Sequence, residues 1–579
     1  MLSPFTHHLN TNYVPSDEEL AAIRDVVRKG EEVLNDIDQE TCEIERRVEE
    51  LRQELGALAE RRDAQKREVD EHKALLSPIK RIDIDILTSI FLTVLENQVQ
   101  SSYRRISAHH PAVIISHVCQ RWRTVALSTK ILWRHLHIQI PSYPYSSEYQ
   151  DPWKGKVAKL VEMTQIWISR SDDCHLSVEI IEQNHFRPGL ESGTFVPECT
   201  EFRELVDVLL SSSSRWKDLQ LSLFFPRAQF PDFPTTRLLV VPPQPTPTLT
   251  NVKLYYYVDE RQQESKLSQH LIAGPNIFSA PTLRSLEIGP RVLAHDIKHM
   301  PVVWSNLEHL AFDGYPAESL HRFDALEALA LLKECTNLVT CYVVLERDVT
   351  VPANRAPIPL PRLRELVLLP HESHLPKGFA QSLILPSLCK LEVITGYGEC
   401  TPREHHESGL FEFCERFGPT LEDVSFCYKA LTQAALHRCL QRLPNVTSLG
   451  LISVDRITII GNDRAAAGLN RDTIIHLTPQ FNAAGTAITK LPLCPRIKVF
   501  RFSADRGELA EDALADFIVA RRRELHDHPL EGGREVARLR EVDCGHYHFQ
   551  TTDPGEALPN REVDMEAFSF TNWYPRRSR

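Results

Sequence analysis

Pro281-Thr-Leu-Arg-Ser-Leu-Glu-Ile288 carries the pattern that decides the fold of this 579-residue chain. A proline or small polar start is followed by x-Leu-x-x-Leu-x-Leu or a close variant, and eleven copies occur in all. The clear copies start at Pro281, Ser305, Pro361, Pro386, Pro419, Pro444 and Pro495, and the looser ones at Ser214, Pro247, Thr336 and Ala537. Most starts are 24 to 34 residues apart, with longer gaps after Pro444 and Pro495. This period predicts a stack of similar units.

A period of 24 to 34 residues with an L-x-x-L-x-L core is the signature of a leucine-rich repeat, which supplies one strand and one helix or turn per unit. We therefore predict an α/β fold in which parallel strands line the concave face of an irregular solenoid, a horseshoe. The helix-like stretches between the copies include residues 202–210, 325–335, 410–417, 431–443 and 512–525.

Other segments complete the predicted array. Residues 153–180 are expected to form the helix and first strand that precede it, and long loops are expected around 226–247 and 456–491. The inward leucines are core residues. Partner contacts are expected at strand positions that point outward, such as Arg284, Ser285, Glu308, His309, Arg364 and Glu365.

Size and charge exclude several classes of protein. A chain of 579 residues is too long for one compact core and should hold several domains or an elongated repeat array. Hydrophobic residues make up 42% of the chain and charged residues 25%, which is ordinary for a soluble globular protein. The formal net charge of -12 argues against a nucleic-acid binder built on a basic surface.

The sequence also lacks membrane and secretion signals. No apolar run approaches the roughly 18 residues of a membrane helix, and Met1-Leu-Ser-Pro-Phe-Thr-His-His8 lacks the regions of a secretory signal. We therefore expect a cytoplasmic or nuclear protein, or both, with no membrane partner. The thirteen cysteines occur singly and are expected to be mostly buried thiols. The locally basic spots are Arg521-Arg522-Arg523, in a helix-like stretch, and the end Arg576-Arg577-Ser578-Arg579, predicted to be a frayed terminus.

From Leu20 to Leu76, apolar residues recur in alternating steps of three and four. One heptad position holds Leu20, Val27, Leu34, Val48, Leu55, Val69 and Leu76, and the other holds Ile23, Ile37, Ile44, Leu51 and Leu58. This 3.5-residue period favours a coiled coil, and a homodimer through residues 20–76 is one interpretation. Alternatively, a single long helix, or a hairpin broken near Gly30, folds against the chain's own body. Pro78 separates this arm from the next segment.

Two short amphipathic stretches follow the arm. The first places Ile82, Ile86, Ile90 and Phe91 on one side of a helix, and the second does the same for Val118, Trp122, Val125 and Ala126. Two helices of this size make too small a core to fold well alone, so an apolar face should remain. That face either packs on the following domain or binds a partner.

This segment resembles an F-box, the helical module that docks substrate receptors onto the Skp adaptor of cullin-RING ubiquitin ligases. Ile82-Asp-Ile-Asp-Ile-Leu-Thr-Ser-Ile-Phe91 is similar to the family's Leu-Pro-x-Glu-Leu-Leu-x-x-Ile-Phe opening. Val118-Cys-Gln-Arg-Trp-Arg123 is similar to its Val-Cys-Lys-x-Trp-Arg element, and Leu132-Trp133 to its closing Leu-Trp. The start and ending look most like the large F-box families of mushroom-forming (basidiomycete) fungi.

The resemblance implies a set of adaptor-binding residues and a core position at Trp133. The implied adaptor-facing residues are Ile82, Ile86, Leu87, Ile90, Phe91, Val118, Cys119, Trp122 and Leu127. Asp83 stands where the family has its proline, and Ile82 where it has leucine, which alters the first adaptor contact. The implied partners are a Skp-type adaptor, a cullin bound through it, and an unknown protein substrate.

Enzyme motifs are missing from the sequence. It contains no Gly-x-Ser-x-Gly elbow, no Gly-x-x-x-x-Gly-Lys-Ser/Thr phosphate loop and no Gly-x-Gly-x-x-Gly turn. Histidines cluster at His405-His406 and His546-Tyr-His548, and the second pair is expected to lie on an exposed strand rather than to hold a metal. Asp83 and Asp85 lie at a helix start, where acids favour the helix dipole. We therefore expect no catalytic residue, no cofactor and no metal.

The predicted order is a disordered N-terminus (1–16), a coiled-coil-like helix (17–76), an F-box (77–137), a linker with first solenoid elements (138–200), a leucine-rich-repeat-like solenoid (201–550) and a C-terminal tail (551–579). Two functions fit this order. The first is the substrate-recognition subunit of an SCF-type cullin-RING ligase, which holds a target near a separate ubiquitin transferase. The second is a non-ligase interaction scaffold with a degenerate F-box and an oligomerising coiled coil.

Overall fold

The computed structural model is of mixed α/β class, with a long N-terminal helix and a large parallel sheet. It divides into two compact units, Met1–Ser89 and Ile90–Arg579. The structure describes residues 3–76, 78–96, 105–142, 147–182, 200–225, 234–240, 246–258, 276–289, 297, 299–312, 323–345, 350–352, 354–370, 374–394, 398–453, 457–459, 465–483, 488–504, 509–522, 536–545 and 568–571.

The first unit is dominated by helix α1, Asp17–Leu75. Ser16 caps it: its side chain accepts from the backbone N–H of Glu19, and the Glu19 carboxylate accepts from the N–H of Ser16 at 2.8 Å. This reciprocal capping box satisfies two N–H groups that a helix start otherwise leaves unpaired. The helix passes Gly30 without a break, so the predicted hairpin at that position is wrong. No residue of α1 is buried.

Short helices come next along the chain. Helix α2, Ile84–Glu96, contains the division between the units, and α3 and α4 belong to the second unit, at Pro111–Ser116 and Gln120–Ser128. The predicted amphipathic stretches are therefore helical. A 3-10 turn, Lys130–Trp133, leads directly into the first strand of the sheet.

Fourteen strands of the described residues form one parallel sheet whose order follows the chain. They are β1 His135–Ile140, β2 Leu176–Glu182, β3 Trp216–Phe225, β4 Asn251–Val258, β5 Ser285–Ile288, β6 His309–Phe312, β7 Thr340–Leu345, β9 Glu365–Pro370, β11 Lys390–Val393, β13 Asp423–Cys427, β14 Ser448–Ile452, β18 Val499–Phe502, β19 Glu541–Asp543 and β20 Ser569–Thr571. Shorter strands pair apart from it: β8 Ile358–Pro359 with β10 Leu383–Ile384, β12 Gly398–Cys400 with β15 Ile457–Ile459, and β16 Gln480–Phe481 with β17 Ile488–Lys490.

Each of the eleven sequence copies places its second half on a strand of the large sheet. The pairing register aligns the middle apolar residue of successive copies: Leu286 lies opposite Leu310, and Leu391 lies opposite Leu366 and Val424. These side chains are almost completely buried. The repeated leucines therefore form a continuous row of the core, which is the physical reason for the period.

Small polar side chains join the starts of successive copies. Asn306 donates from its side chain to the carbonyl oxygen of Pro281 at 3.0 Å, and Asn337 donates to Ser305 at 2.7 Å. Asn445 donates to Pro419 at 2.7 Å in the same way. Each donor is the second residue of its copy, and each acceptor is the start of an earlier copy. This ladder satisfies carbonyl groups in the turns before the strands.

Helices and 3-10 turns connect the strands. After α5, Gln150–Ser171, the described helices are α6 Thr200–Ser211, α7 Ala325–Glu334, α8 Gly409–Phe417, α9 Gln433–Gln441, α10 Arg471–Leu477 and α11 Glu511–Arg522. Helices α5 and α6 pack together, as do α8 with α9 and α10 with α11. The helix-like stretches predicted from sequence are confirmed within a few residues, except that residues 523–525 of the last one lie outside the described residues.

Some elements differ from the prediction. Strand β1 lies partly inside the range assigned to the box, and β20 lies in the range assigned to the C-terminal tail. The described part of 456–491 contains α10 and the β16–β17 pair rather than only a loop. Residues 226–233 and 241–245 of the other predicted loop lie outside the described residues.

The basic run at the end of α11 is not a surface patch in its described part, because Arg521 and Arg522 are buried. The Arg521 guanidinium donates to the carbonyl oxygens of Leu477 at 2.7 and 3.0 Å and of Leu493 at 3.1 Å. It also donates to the carbonyls of Cys494 and Pro495. Burial lowers the pKa of this side chain to about 10. Arg521 thus joins α11 to the segments before β18.

Candidate docking segment and sheet surface

Three of the predicted adaptor-facing residues lie in the first unit. Ile86 exposes 55% of its surface, whereas Leu87 is buried and Ile82 is half-buried. Asp83 precedes the first residue of α2, and its carbonyl oxygen accepts from the N–H of Leu87 at 2.9 Å. Asp83 therefore occupies the cap position of the helix, where an aspartate is a favoured residue.

The other six lie in the second unit. Ile90 and Val118 expose 39% and 57% of their surfaces, and Cys119 and Leu127 are half-buried. Phe91 is buried, and its ring meets the half-buried ring of Trp122 edge-on, with centroids 5.1 Å apart. An edge-on aromatic pair of this kind stabilises packing beyond the burial of its area. Phe91 and Trp122 therefore support the local core, while Ile90 and Val118 offer apolar surface.

Helix α4 begins at a motif residue. The Cys119 sulfur accepts from the backbone N–H of Trp122 at 3.5 Å and so caps the helix. Arg121 and Arg123 of this helix are exposed. Ile114 on α3 is also exposed. The sequence interpretation missed Ile114, although a hydrophobic residue next to the second motif was a visible signal.

The end of the F-box-like segment, Leu132-Trp133, is anchored in the core of the second unit, the sheet unit. Trp133 is fully buried, as predicted, and its indole N–H donates to the carbonyl oxygen of Ala126 at 2.9 Å. Its ring packs edge-on against Trp167 of α5 at 5.0 Å, and the buried His110 meets Trp167 at 5.5 Å. Burial lowers the pKa of His110 to about 4, with a smaller effect of His135. Helices α3 and α4 are therefore fixed to α5.

The outward face of the sheet is polar near its first strands. Glu179 accepts from Gln220 at 3.0 Å, and its other oxygen lies 2.6 Å from Nδ1 of His137. Farther along the face, Lys253 contacts Glu287 at 2.5 Å. These residues share one register row, because His137 lies opposite Glu179, Glu179 opposite Gln220 and Lys253 opposite Glu287. Gln220 in turn lies opposite Lys253. His137 is buried, so the accessible donors and acceptors of the row run from Glu179 to Glu287.

The predicted outward residues are all at least partly accessible. Arg284, His309 and Arg364 are exposed, and Ser285, Glu308 and Glu365 are half-buried. Nδ1 of His309 lies 2.7 Å from the hydroxyl of Thr340, and Glu365 contacts Lys390 at 2.5 Å. An open groove runs along the starts of β9, β11 and β13. It is lined by Val339, Pro361, Arg362, Arg364, Pro386, Ser387, Leu388, Cys389, Thr420 and Glu422.

The histidine clusters differ from one another. His405 contacts the guanidinium of Arg438, and His546 and His548 lie outside the described residues. Within the described part of the chain, one group of at least three convergent metal-ligating side chains occurs, and it comprises His437, Asp472 and His476. The sequence interpretation missed this group, for which the only local signal is the spacing of four between Asp472 and His476.

The described cysteines are free thiols, and most of them are buried, as predicted. Among the residues that the structure describes, no helix combines the length and the apolar character that crossing a membrane requires. Neither a scan against protein-family models nor a search of the curated proteins finds a match to this chain.

Proposed function

We propose that this chain is the substrate-recognition subunit of an SCF-type cullin-RING ubiquitin ligase. Its F-box, residues 77–137, docks to a Skp-type adaptor and through it to a cullin, and its sheet unit binds the target protein. The chain itself is not the catalyst. It raises the target's effective concentration near a separate transferase.

The exposure of Ile86, Ile90 and Val118 carries the proposal. When a partner covers exposed branched aliphatic side chains, the burial of their apolar surface makes the free energy of binding more favourable. All three lie at positions where the family resemblance implies adaptor contacts. The buried residues Leu87 and Phe91 support these helices rather than the interface in the proposed complex.

We further propose that the sheet unit is an irregular leucine-rich-repeat solenoid. Three observations support this: the strand order follows the chain, every pairing in the large sheet is parallel, and a helix or 3-10 turn precedes many of the strands. In such an array each repeat contacts mainly its neighbours, and one face is left for binding. The target then binds the outward polar rows and the groove at the starts of β9, β11 and β13.

The packing of Trp133 on Trp167 supports a receptor role for the second unit. Because α4 and α5 share this core, helices α3 and α4 and the first strands of the sheet form one body. A target held on the sheet would keep a fixed distance from the adaptor-facing side of these two helices. Fixed geometry of this kind favours transfer between bound partners.

Affinity capture of the full chain, with and without proteasome inhibition, tests adaptor and target together. We expect the Skp-type adaptor in both samples, and at least one protein whose recovery rises when the proteasome is inhibited. Capture without the adaptor under both conditions would contradict the proposal.

The second candidate is an interaction scaffold that assembles through α1. Its support is the exposure along this helix of Leu34, Ile37, Ile44, Leu51, Leu55 and Leu58. An apolar seam of this length is covered when two such helices pair. Light scattering of the full chain should then report a dimer that the double substitution Leu51→Asp and Leu55→Asp converts to a monomer. A monomeric wild-type protein would exclude this candidate.

A further inference from the structure

Helices α9 and α10 bring three metal-ligating side chains together on the surface of the sheet unit. His437 lies in the middle of α9, and Asp472 and His476 lie one turn apart on α10. Each of the three offers a ligand atom within 4.8 Å of those of the other two. Thirty-four residues separate His437 from Asp472 in the chain, so the fold alone creates this group.

The distances suit a small divalent ion. Nε2 of His437 lies 3.8 Å from one carboxylate oxygen of Asp472, and the ligand atoms of the three side chains all lie within 4.8 Å of one another. Ligand atoms about 2.1 Å from a tetrahedral zinc ion lie about 3.4 Å from one another. The 3.8 Å separation is close to this value, and side-chain rotation is needed where the ligand atoms lie farther apart. The side chain of Asp472 is 59% exposed and that of His437 is 15% exposed, so an ion can reach the group from solvent.

Hydrogen bonds already set the tautomer of His437. The side-chain oxygen of Gln433 accepts from the N–H of Gly468 at 3.0 Å, which turns the amide nitrogen of Gln433 toward Nε2 of His437 at 3.0 Å. Because that amide nitrogen only donates, Nε2 of His437 is the unprotonated ring nitrogen, and its electron pair accepts the hydrogen bond from Gln433. A metal ion would bind this electron pair in place of the amide of Gln433.

His476 is oriented in a similar way. Its Nδ1 lies 2.8 Å from the backbone carbonyl oxygen of Asp472, to which it donates. The proton is therefore on Nδ1, and Nε2 has the free electron pair. A histidine that donates one ring N–H to a backbone carbonyl while its other nitrogen binds the metal is the usual arrangement around protein-bound zinc.

We propose that His437, Asp472 and His476 bind a divalent transition-metal ion of the zinc class, with water in the remaining position. Two imidazoles and one carboxylate are ligands that suit zinc. Helix α10 lies between the copies that start at Pro444 and Pro495, where the spacing is longest, and α9 lies just before Pro444. The ion would join the two helices and so stabilise this part of the array. This proposal is independent of the proposed function.

Zinc titration of the untagged, chelator-treated full chain tests the site, with cobalt as a spectroscopic probe. We expect one zinc ion to bind tightly to each chain, and we expect the cobalt-loaded chain to show an absorption spectrum typical of tetrahedral nitrogen and oxygen ligands. The substitution Asp472→Asn should weaken binding at least tenfold, and it should not disturb folding because this side chain is exposed. The double substitution His437→Gln and His476→Gln should abolish tight binding.

His406→Gln is the matched control, because His406 is an exposed histidine beside an acidic residue, Glu407, but outside the group. It should bind zinc like the wild-type protein. Circular dichroism of the metal-free variants verifies that they are folded. The proposal is overturned if the wild-type chain binds no zinc ion tightly, or if the Asp472→Asn variant and the double variant bind zinc as tightly as the wild-type chain. In that case the three side chains are a hydrogen-bonded surface cluster only.

Discussion

Replacing Ile86 with aspartate (Ile86→Asp) should disrupt the proposed docking without unfolding the chain. Ile86 exposes 55% of its surface, so a partner that covers this exposed part contributes about 0.8–1.7 kcal/mol of the 1.5–3 kcal/mol that full burial contributes. An aspartate at an apolar interface adds a cost of about 1–3 kcal/mol for a buried polar group without a partner. The sum, about 2–5 kcal/mol, corresponds to a rise in Kd by a factor of about 30 to 4,000.

The position suits the test because Ile86 lies in the first turn of α2, where an acidic side chain interacts favourably with the helix dipole. Trp122→Ala is less informative, since Trp122 packs against the buried Phe91 and its removal would disturb the core. Ile166→Asp on α5 is the matched control, because Ile166 is a helical isoleucine with 44% exposure outside the motif.

Isothermal titration of purified chain with purified Skp-type adaptor measures the effect. We expect wild type and Ile166→Asp to bind alike and Ile86→Asp to bind at least 30-fold more weakly. If Ile86→Asp binds within a factor of about two of wild type, Ile86 is not at the interface and the reasoning from exposure is refuted.

Three further predictions concern stability. Arg521→Met should lower the free energy of unfolding by about 2–4 kcal/mol in urea denaturation, because buried carbonyl oxygens lose a charged donor; a change below about 0.5 kcal/mol would contradict this. His110 has a pKa of about 4 in the folded chain and about 6.5 in the unfolded chain. Between these pH values the unfolded chain therefore binds more protons. The free energy of unfolding should fall by up to about 3 kcal/mol as the pH falls from 6.5 to 4. His110 caps α3, because its side chain accepts from the N–H of Ala112 at 3.2 Å, and asparagine is also a favoured cap residue. His110→Asn should therefore flatten the pH profile relative to wild type, and identical profiles would show that His110 does not titrate in this way. Asn445→Ala should lower the melting temperature by removing one rung of the polar ladder, worth about 0.5–1.5 kcal/mol. Asn12→Ala, at an exposed asparagine outside the ladder, serves as the comparison.

The strands could be predicted because burial and pairing act on the same residues. In each copy the apolar residues alternate along the strand, so Leu286 and Ile288 face the core whatever precedes them. Strand β1 was missed because it follows the Leu132-Trp133 ending directly and belongs to no copy. Strand β20 was missed because its three residues lie beyond the last copy, where only the edge of the existing sheet defines their place.

The site could be predicted in part. The spacing of apolar residues predicts the helices of the proposed docking segment, residues 77–137. Helix α2, however, has apolar residues on more than one side, so sequence alone did not show that Leu87 is buried while Ile86 is exposed. The convergence of His437 with Asp472 depends on the packing of two helices and leaves no local signal. The sequence indicated a basic surface at Arg521 because a run of arginines is usually exposed to solvent. In the structure, backbone carbonyl oxygens surround its guanidinium.

The strand order bears on how the chain folds during synthesis. Each strand of the large sheet pairs with the strand that precedes it there, so every pairing closes a short loop and none waits for a distant segment. At a synthesis rate of about 5–20 residues per second, each new strand emerges when its partner is already in place. Because Trp133 and Trp167 both lie in the first third of the chain, the helices that carry Val118 can be anchored while most of the sheet has yet to leave the ribosome. The nascent protein would then acquire the proposed docking segment before the large sheet is complete.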